Sequence, residues 1–164
     1  MRLLIQSRND PEREQFAAFD SVVRHRTPVP RVQEARLLAE SGHVHAMIDI
    51  SDGLSADVLH MGQDSSAGIT LYADALPVDP VTVEAARMLR DDPVQLAMNS
   101  GEEFELVCAV AEKETTELCR RITDVTGTPM TVIGEVVPSD SGNTWRDEAG
   151  THVLVSGGYD HFKK

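Results

Sequence analysis

Apolar residues recur at helical spacing in some stretches of this chain and form short extended runs in others. Spacing at i, i+3 and i+4 predicts amphipathic helices, and short apolar runs bounded by turn residues predict strands. The predicted helices are 32–39, 80–90, 93–98 and 112–126. A further helix is predicted to start at residues 51–53 and to carry Leu54, Val58 and Met61. The predicted strands are 45–50, 69–72, 104–110, 130–137 and 152–155, with a hairpin around 141–143 before the last of them. Because helices and strands alternate, the sequence predicts the α/β (α+β) class with one mixed sheet.

The first thirty residues depart from this pattern. Residues 7–14 are polar and have no period, and four apolar residues then return at helical spacing within 16–23. Arginines concentrate immediately after them, before the regular alternation of helices and strands begins. We therefore interpret residues 1–27 as a connecting arm and residues 28–164 as the domain itself.

The composition is that of a soluble globular chain. Hydrophobic residues make up 41% of the 164 residues and charged residues 26%, so a disordered or fibrous chain is excluded. The longest apolar runs, such as 106–110, fall far short of the ~20 residues that a membrane span needs. Residues 1–6 also lack the apolar core of a signal peptide. We expect a cytoplasmic protein with no membrane partner.

The net charge narrows the choice of ligands. Asp and Glu number 27 against 15 Lys and Arg, which gives a formal charge of −12 with neutral His. A surface of this charge repels a phosphate backbone, so we expect no nucleic-acid partner. Anionic small ligands remain compatible with it, provided that metal ions or helix N-termini offset the repulsion.

Neither the cysteines nor the histidines stand at metal-ligand spacing. Cys108 and Cys119 lie eleven residues apart in apolar settings, which favours reduced, buried thiols over a disulfide or a metal site. His43 and His45 are two residues apart, and no third ligand accompanies them. The sequence also has no Walker loop, dinucleotide fingerprint or nucleophile elbow. Carboxylates are therefore the main candidates for chemistry.

Two carboxylates stand where a predicted strand ends and a helix begins, in residues 47–54 (Met-Ile-Asp-Ile-Ser-Asp-Gly-Leu). Asp49 alternates with apolar neighbours, and Ser51 or Asp52 is predicted at the N-cap of the helix. Oxygen ligands beside a helix start suit a Mg²⁺–phosphate site, because Mg²⁺ shares carboxylates with substrate oxygens. A plain N-cap in a surface turn fits the same spacing, so the local pattern leaves both interpretations open.

Three glutamates lead into a predicted buried strand in residues 100–106 (Ser-Gly-Glu-Glu-Phe-Glu-Leu). Glu103 and Glu105 alternate to one face of the strand, and Glu102 precedes it. Carboxylates in this position can bind a cation or a cationic ring, or they can be solubilising residues of a strand edge. The spacing is compatible with either role.

The C-terminal tail, residues 156–164, holds two of the seven aromatic side chains. Gly157 and Gly158 allow the tail to approach another surface closely. An aromatic lid over a ligand and a tail packed on its own domain are both compatible with this pattern. Asp160 and His161 are adjacent and are not expected to face each other as an acid–base pair.

Several segments, taken together and in order, resemble one enzyme family. They are Pro28-x-Pro30-Arg31-Val32, Ala46-Met47-Ile48-Asp49-Ile50-Ser51-Asp52-Gly53-Leu54-x-x-Asp57, Asp74-Ala75-Leu76-Pro77, Gly101-Glu102-Glu103-Phe104-Glu105-Leu106, Val132-Ile133-Gly134-Glu135-Val136 and Gly158-Tyr159-Asp160-His161-Phe162. In this combination, residues from about 24 to 162 are similar to the C-terminal half of bacterial thiamine-monophosphate kinase, in the superfamily of AIR synthase and selenophosphate synthetase. The resemblance implies an AIR synthase-related C-terminal domain, a mixed sheet with helices packed on one face.

The resemblance also implies an activity, the transfer of the γ-phosphoryl group of ATP to thiamine monophosphate to give thiamine diphosphate and ADP. The implied contacts are Asp49 and Asp52 with Mg²⁺, Ser51 with the phosphates of ATP, Glu102 with the thiamine moiety, and Tyr159 as an aromatic wall with Phe162 behind it. No residue is implied as nucleophile, general acid or general base. Transfer of this kind is direct, and positioning and charge neutralisation supply most of the acceleration.

Two departures from the family pattern affect these expectations. The usual Gly-Gly-Glu-Asp is here Ser100-Gly101-Glu102-Glu103, and the longer side chain of Glu103 is expected to shift the loop. A complete kinase also has an N-terminal half, which carries most nucleotide and Mg²⁺ ligands and forms a homodimer interface. We therefore expect this chain to be inactive without that half. The alternative is a stand-alone, non-catalytic binding or interaction module derived from the family.

Overall fold

Five α-helices and six strands follow one another along residues 26–157, the part of the chain that the computed structural model describes. The helices are α1 (Val32–Glu40), α2 (Leu54–Asp64), α3 (Pro80–Leu89), α4 (Pro93–Asn99) and α5 (Thr115–Thr126). The strands are β1 (Val44–Asp49), β2 (Gly68–Tyr72), β3 (Leu106–Val110), β4 (Gly134–Val137), β5 (Thr144–Asp147) and β6 (Gly150–Val153). Short 3₁₀ turns lie at Ala73–Ala75, Glu112–Glu114 and Ser139–Ser141. The predicted connecting arm, 1–27, lies almost wholly outside the described residues, and its boundary stays a prediction.

The described strands divide between two sheets. One is a four-stranded mixed sheet in the order β4-β2-β5-β6, in which β2 is antiparallel to β4 and parallel to β5. The other is an antiparallel pair of β1 and β3, in which Asp49 lies opposite Leu106. The predicted class, an α/β (α+β) fold with a mixed sheet, is confirmed. The periodicity did not separate the β1–β3 pair from that sheet, because it carries no information on which strands are neighbours.

The predicted hairpin around 141–143 is wrong. Strands β4 and β5 lie on opposite sides of β2, so the chain between them crosses β2 and does not fold back on itself. Asn143 explains part of this arrangement, because its side-chain oxygen accepts the N–H of Ile69 at the start of β2, at 3.0 Å. The hairpin of this region joins β5 to β6, with Asp147 opposite Gly150.

Some predicted elements have different ends in the structure. The strand predicted at 130–137 begins only at Gly134, and the strand predicted at 104–110 begins at Leu106. Phe104 cannot continue β3 because its φ of +54° lies in the left-handed region. In α5, Leu118 and Ile122 are buried as predicted. Val125, also predicted to face inward, is 54% exposed in the last turn of that helix.

Helix α2 lies at the centre of the packing because it contacts strands of both sheets, β1 and β2. Leu54 and Val58, predicted to face inward, are 6% and 1% exposed. The residues buried in the same cluster are Ile69, Leu71, Leu76, Met98, Val107 and Leu154, with Met61 packed against it. Each large apolar side chain contributes roughly 1.5–3 kcal/mol when it is fully buried. This cluster therefore holds the start of α2 in place beside the end of β1.

The two cysteines are free thiols in the structure, but they are less buried than the sequence predicted. Both are half-buried, and burial raises the pKa of the Cys108 and Cys119 thiols. Both therefore stay protonated at neutral pH, the less reactive form of a thiol. In the part of the chain from 26 to 157, no helix combines the length and the apolar character that crossing a bilayer requires.

A substitution at Gly134 tests the pairing of β4 with β2. A Cβ atom on Gly134 would overlap the carbonyl oxygen of Thr70 and lie 3.1 Å from the Cα of Leu71, both backbone atoms that cannot turn aside. We expect Gly134→Ala to lower the free energy of unfolding by about 1–3 kcal/mol, measured by urea denaturation. Val136→Ala, at an exposed position of the same strand, is the control and should change it by at most about 0.5 kcal/mol. Equal denaturation midpoints for the two variants would contradict this register.

Candidate active site

The loop that follows β1 carries the first predicted site residues. Asp49 is the last residue of β1 and is exposed, whereas Ser51 and Asp52 are half-buried. The N-cap of α2 is Gly53, so the prediction that Ser51 or Asp52 occupies it is wrong. Gly53 has a φ of +119°, and a Cβ there would lie 3.2 Å from the carbonyl oxygen of Ser100. A residue without a side chain is needed at the cap because another backbone passes against it.

A buried acid inside α2 holds this loop. Asp57 is 2% exposed, and its Oδ2 accepts the backbone N–H groups of Ser51, Asp52 and Gly53, at 3.0, 3.1 and 3.2 Å. Burial raises the pKa of the Asp57 carboxyl, and the three N–H donors oppose that shift by stabilising the charged form. Sequence reasoning included Asp57 in the family motif but gave it no role. An acid in the first turn of a helix, four residues after glycine, was the available signal.

The second predicted segment lies directly against this loop. The N–H of Glu102 donates to the carbonyl oxygen of Ser51 at 2.7 Å, and the N–H of Phe104 donates to that of Ile50 at 2.8 Å. The N–H of Ile50 donates in return to the carbonyl oxygen of Glu105 at 2.9 Å. The β1–β3 pairing thus continues beyond the strands and brings Ser51 and Glu102 together. Their proximity is a tertiary result that the two separate motifs do not contain.

The backbone of the second segment is tight and partly strained. Glu102 and Phe104 have φ values of +65° and +54°, in the left-handed region that residues with side chains rarely adopt. A Cβ on Gly101 would lie 2.7 Å from the carbonyl oxygen of Ser51, so only glycine fits there. Strain of this kind costs on the order of 1–3 kcal/mol per residue and concentrates at functional sites. In this backbone conformation, Glu102 lies on the surface of the loop and its side chain is exposed.

Of the two roles that the sequence left open for these glutamates, cation binding and solubilisation, Glu105 has the first, and its cation is the guanidinium of Arg31 and not a ligand. Arg31, the N-cap residue of α1, donates from Nε and Nη2 to the two carboxylate oxygens of Glu105, at 2.8 and 2.7 Å. Arg31 also donates from Nη1 to the hydroxyl of Thr128, at 3.4 Å. This bidentate pair connects α1 to the start of β3 and supports the loop that carries Glu102.

The described chain ends beside the N-terminus of α2. The Ser55 hydroxyl accepts the N–H of Gly157 at 3.2 Å and donates to the side-chain oxygen of Asn99 at 2.7 Å. Tyr159 and Phe162, predicted to contact the substrate, lie outside the described residues. Their roles stay predictions.

The chemistry of the donor set fits a partial magnesium site. Residues 26–157 contain no group of three His, Cys, Asp or Glu side chains placed to hold a metal ion by themselves. Mg²⁺ is commonly bound by one or two carboxylates together with substrate phosphates and water. Asp49 and Asp52, at the end of β1 and just before α2, can supply those carboxylates. The N-terminus of α2 favours an anionic group nearby, because its first N–H groups have no partner within the helix.

Comparison with known proteins identifies the class of domain to which this fold and these two loops belong. The family described as "AIR synthase related protein, C-terminal domain" matches residues 4–146. The chain belongs to this family. Its curated relatives are, more particularly, thiamine-monophosphate kinases, in agreement with the resemblance seen in the sequence motifs.

Two of these relatives show how much of a complete protein is represented. The thiamine-monophosphate kinase of Rhodopirellula baltica is 38% identical over 114 residues, which cover 70% of this chain and 35% of that protein. The enzyme of Haemophilus influenzae is 30% identical over 144 residues, which cover 86% of this chain and 42% of that protein. The chain thus spans about two fifths of the length of the curated relatives it matches.

Solved structures agree with this assignment. The thiamine-monophosphate kinase of Stenotrophomonas maltophilia K279a is 32% identical with a TM-score of 0.60, over 68% of this chain and 34% of that one. The structure described as AaThiL complexed with AMPPCP and TMP has a TM-score of 0.73 over 98% of this chain and 46% of that one. At 23% identity, the second likeness shows the fold alone.

Proposed function

We propose that this chain is the C-terminal part of a thiamine-monophosphate kinase. The complete protein transfers the γ-phosphoryl group of ATP to the phosphate of thiamine monophosphate, which gives thiamine diphosphate and ADP. The observation that carries the proposal is the backbone pairing of Ser51 with Glu102, at 2.7 Å. It joins the loop suited to metal and phosphate to the loop proposed for the thiamine moiety. Reactants bound to the two loops would be held close together, which is the main requirement for direct transfer.

The loop after β1 is the proposed phosphate side of the site. Asp49 and Asp52 would each contribute a carboxylate to Mg²⁺, and Ser51 would contact the phosphates of ATP. When bound, Mg²⁺ neutralises phosphate charge and orients the phosphoryl group. The protein itself contributes rigidity, because Asp57 holds the three amides of this loop. With a net charge of −12, metal ions or helix N-termini must offset the repulsion of an anionic substrate, and Mg²⁺ at this loop would contribute to that.

The loop that contains Glu102 is the proposed thiamine side. Its exposed carboxylate suits a ligand that carries a positively charged thiazolium and an amino-bearing ring. Tyr159 is the proposed aromatic wall for that cation, with Phe162 behind it. The AaThiL structure, described as complexed with AMPPCP and TMP, supports a pair of ligands of this kind.

We further propose that this chain works with an N-terminal half and that the complete enzyme is a cytoplasmic homodimer. The N-terminal half would supply the remaining nucleotide and Mg²⁺ ligands. The extent of the match supports this, because the chain spans 35% and 42% of two kinase relatives. Without those ligands, two carboxylates and one hydroxyl from this chain would leave the phosphates incompletely held.

The test is product formation from Mg-ATP and thiamine monophosphate by the 164-residue chain. The chain is assayed alone and after mixing with a separately expressed N-terminal half of the Haemophilus influenzae kinase. We expect thiamine diphosphate only in the mixture, and size-exclusion chromatography should show that the two polypeptides associate. Activity of the chain alone would contradict the need for the other half. Association without activity would favour the non-catalytic binding module.

Glu102→Gln tests the thiamine side of the site. The amide keeps the size of the side chain but loses the charge that would attract the thiamine cation. In the active mixture, we expect the KM for thiamine monophosphate to rise about tenfold and the KM for ATP to change less than twofold, a loss of about 1.4 kcal/mol confined to one substrate. Glu112→Gln, an exposed position beyond the far end of β3, is the control. Equal effects on both substrates would refute the placement of Glu102 at the thiamine.

A further inference from the structure

An ion pair outside the two loops of the site holds the loop that carries Glu102. The guanidinium of Arg31 donates from Nε and Nη2 to the two carboxylate oxygens of Glu105, at 2.8 and 2.7 Å. Glu105 lies three residues after Glu102 and directly before β3, whereas Arg31 is the N-cap of α1. The contact between α1 and the start of β3 is therefore only three residues of backbone away from the proposed thiamine contact.

The Arg31 side chain is itself fixed in place. It is 22% exposed, and its Nη1 donates to the hydroxyl of Thr128 at 3.4 Å and lies 3.7 Å from Oε1 of Glu34. The Thr128 hydroxyl donates to the same oxygen of Glu34 at 2.6 Å. Arg31 thus joins α1, the residues after α5 and the start of β3. A planar guanidinium bound on several sides fixes the direction in which the Glu105 carboxylate points.

The two loops of the site have separate side-chain anchors. Asp57 holds the loop of residues 51–53 by accepting its three backbone N–H groups. The segment 102–105 is anchored by Arg31 at its last residue, and its backbone pairs with Ile50 and Ser51. Loss of the Arg31–Glu105 pair should therefore loosen the segment 102–105 while Asp57 keeps the loop 51–53 in place.

We propose that Arg31, acting through Glu105, is a positioning residue that holds the loop carrying Glu102 where it binds the thiamine moiety. The proposal rests on the proposed function for its ligand, thiamine monophosphate. Arg31 would set the affinity for this ligand and leave the affinity for the nucleotide unchanged, because the phosphate side has its own anchor at Asp57. By charge alone, removal of Arg31 would favour the thiazolium cation, so a loss of affinity distinguishes positioning from electrostatics.

The first experiment measures the anchor without any ligand. Backbone amide hydrogen exchange is recorded at Glu102 and Phe104 in the full 164-residue chain, unsubstituted and with Arg31→Ala. These two amides donate to the carbonyl oxygens of residues 51 and 50, so their exchange reports the attachment of the segment. We expect Arg31→Ala to accelerate both at least about tenfold and to leave the amides of residues 51–53 unchanged.

Arg87→Ala is the matched control for this experiment. Arg87 donates to both carboxylate oxygens of Glu84, at 3.0 and 2.6 Å, as Arg31 does to those of Glu105. Arg87 and Glu84 lie three residues apart within α3, so their pair joins no second element. Its loss should leave exchange at residues 102 and 104 unchanged. Unchanged rates there in Arg31→Ala, or equal acceleration at residues 51–53, would overturn the anchor.

The second experiment measures the consequence for ligands. The full chain is mixed with the N-terminal half of the Haemophilus influenzae kinase, and the Kd values of thiamine monophosphate and of AMPPCP are measured by calorimetry. We expect Arg31→Ala to weaken thiamine monophosphate on the order of tenfold and AMPPCP less than twofold. Arg31→Lys keeps the charge but cannot form the bidentate pair, so it should also weaken thiamine monophosphate. A loss of global stability would weaken both ligands alike.

A double-substitution cycle identifies Glu105 as the residue through which Arg31 acts. In the Glu105→Ala background, Arg31→Ala should cost no further affinity for thiamine monophosphate. Additive losses, tighter binding in Arg31→Ala, or a fall in affinity shared by both ligands would overturn the positioning role. If the associated, unsubstituted mixture bound no thiamine monophosphate, the proposed function and the ligand part of this proposal would both be wrong. The exchange experiment would still decide whether Arg31 anchors the loop.

Discussion

Replacing Asp52 by asparagine is expected to slow phosphoryl transfer by at least about a hundredfold while the fold stays intact. The amide keeps the shape of the side chain but loses the negative charge proposed to hold Mg²⁺. The charge of Asp52 also contributes to the raised pKa of Asp57, behind the larger effect of burial. Its loss removes a repulsion, so the free energy of unfolding should change by less than about 1 kcal/mol. The rate is measured in the active mixture with the N-terminal half, and stability by urea denaturation of this chain.

Asp64→Asn is the matched control for this experiment. Asp64 is an exposed acid at the last residue of α2, and the 11 residues of that helix span roughly 16 Å. The same change of charge at that distance should leave the rate unchanged. An undiminished rate for Asp52→Asn would contradict its assignment to Mg²⁺. Similar losses for Asp52→Asn and Asp64→Asn would instead indicate a general effect of net charge.

Replacing Asp57 by alanine is expected to have the largest effect on stability among the residues of the site. The change removes the acceptor of three backbone N–H groups, those of Ser51, Asp52 and Gly53. A buried donor left without an acceptor costs about 1–3 kcal/mol, so we expect a loss of about 3 kcal/mol or more. This is a large share of the 5–15 kcal/mol typical of a domain. Urea denaturation measures the loss, and amide exchange at residues 51–53 locates it in the loop.

Asp79→Ala is the reference variant with which the loss of stability in Asp57→Ala is compared. Asp79 is the N-cap of α3, and its side chain accepts a single N–H, from Val81 at 2.8 Å. Loss of such a cap costs about 1 kcal/mol. Asp57→Ala should therefore be clearly the more destabilised variant, with fast exchange confined to 51–53. If Asp57→Ala cost no more than Asp79→Ala, the three bonds would not be what holds the loop.

Most helices and strands were predictable because their signals lie within a few residues. The predicted helix 32–39 is Val32–Glu40 in the structure, and the predicted 93–98 is Pro93–Asn99. A hydrophobic period, a proline at the first position and a following glycine act within one or two turns of the chain. The predictions that failed concern which strands pair with each other and where the backbone is strained. The hairpin at 141–143 was wrong because a turn signal does not name the partner of the next strand.

For the candidate site, too, features with a local sequence signal were predictable and features that depend on tertiary contacts were not. The motif of Asp49, Ser51 and Asp52 was visible in the sequence, and the family it indicated is confirmed. The cap at Gly53 was not visible, since it depends on the backbone that passes against the loop. Asp57 had a local signal, an acid four residues after glycine, but the amides that it binds were not visible. The ligand roles of Asp49, Ser51, Asp52 and Glu102 stay predictions, and Asp52→Asn and Glu102→Gln test two of them.

The sequence by itself determined the class of the fold, the family and the residues that carry candidate chemistry, because local periodicity and short motifs hold that information. Only the tertiary structure decided the contacts among them, such as Glu102 on Ser51 and Arg31 on Glu105. Arg31 and Glu105 are 74 residues apart in the chain. Whether two such residues meet depends on the register and crossing of strands and on the burial that favours one arrangement over others. These are properties of the whole packed domain, and no short stretch of the chain contains them.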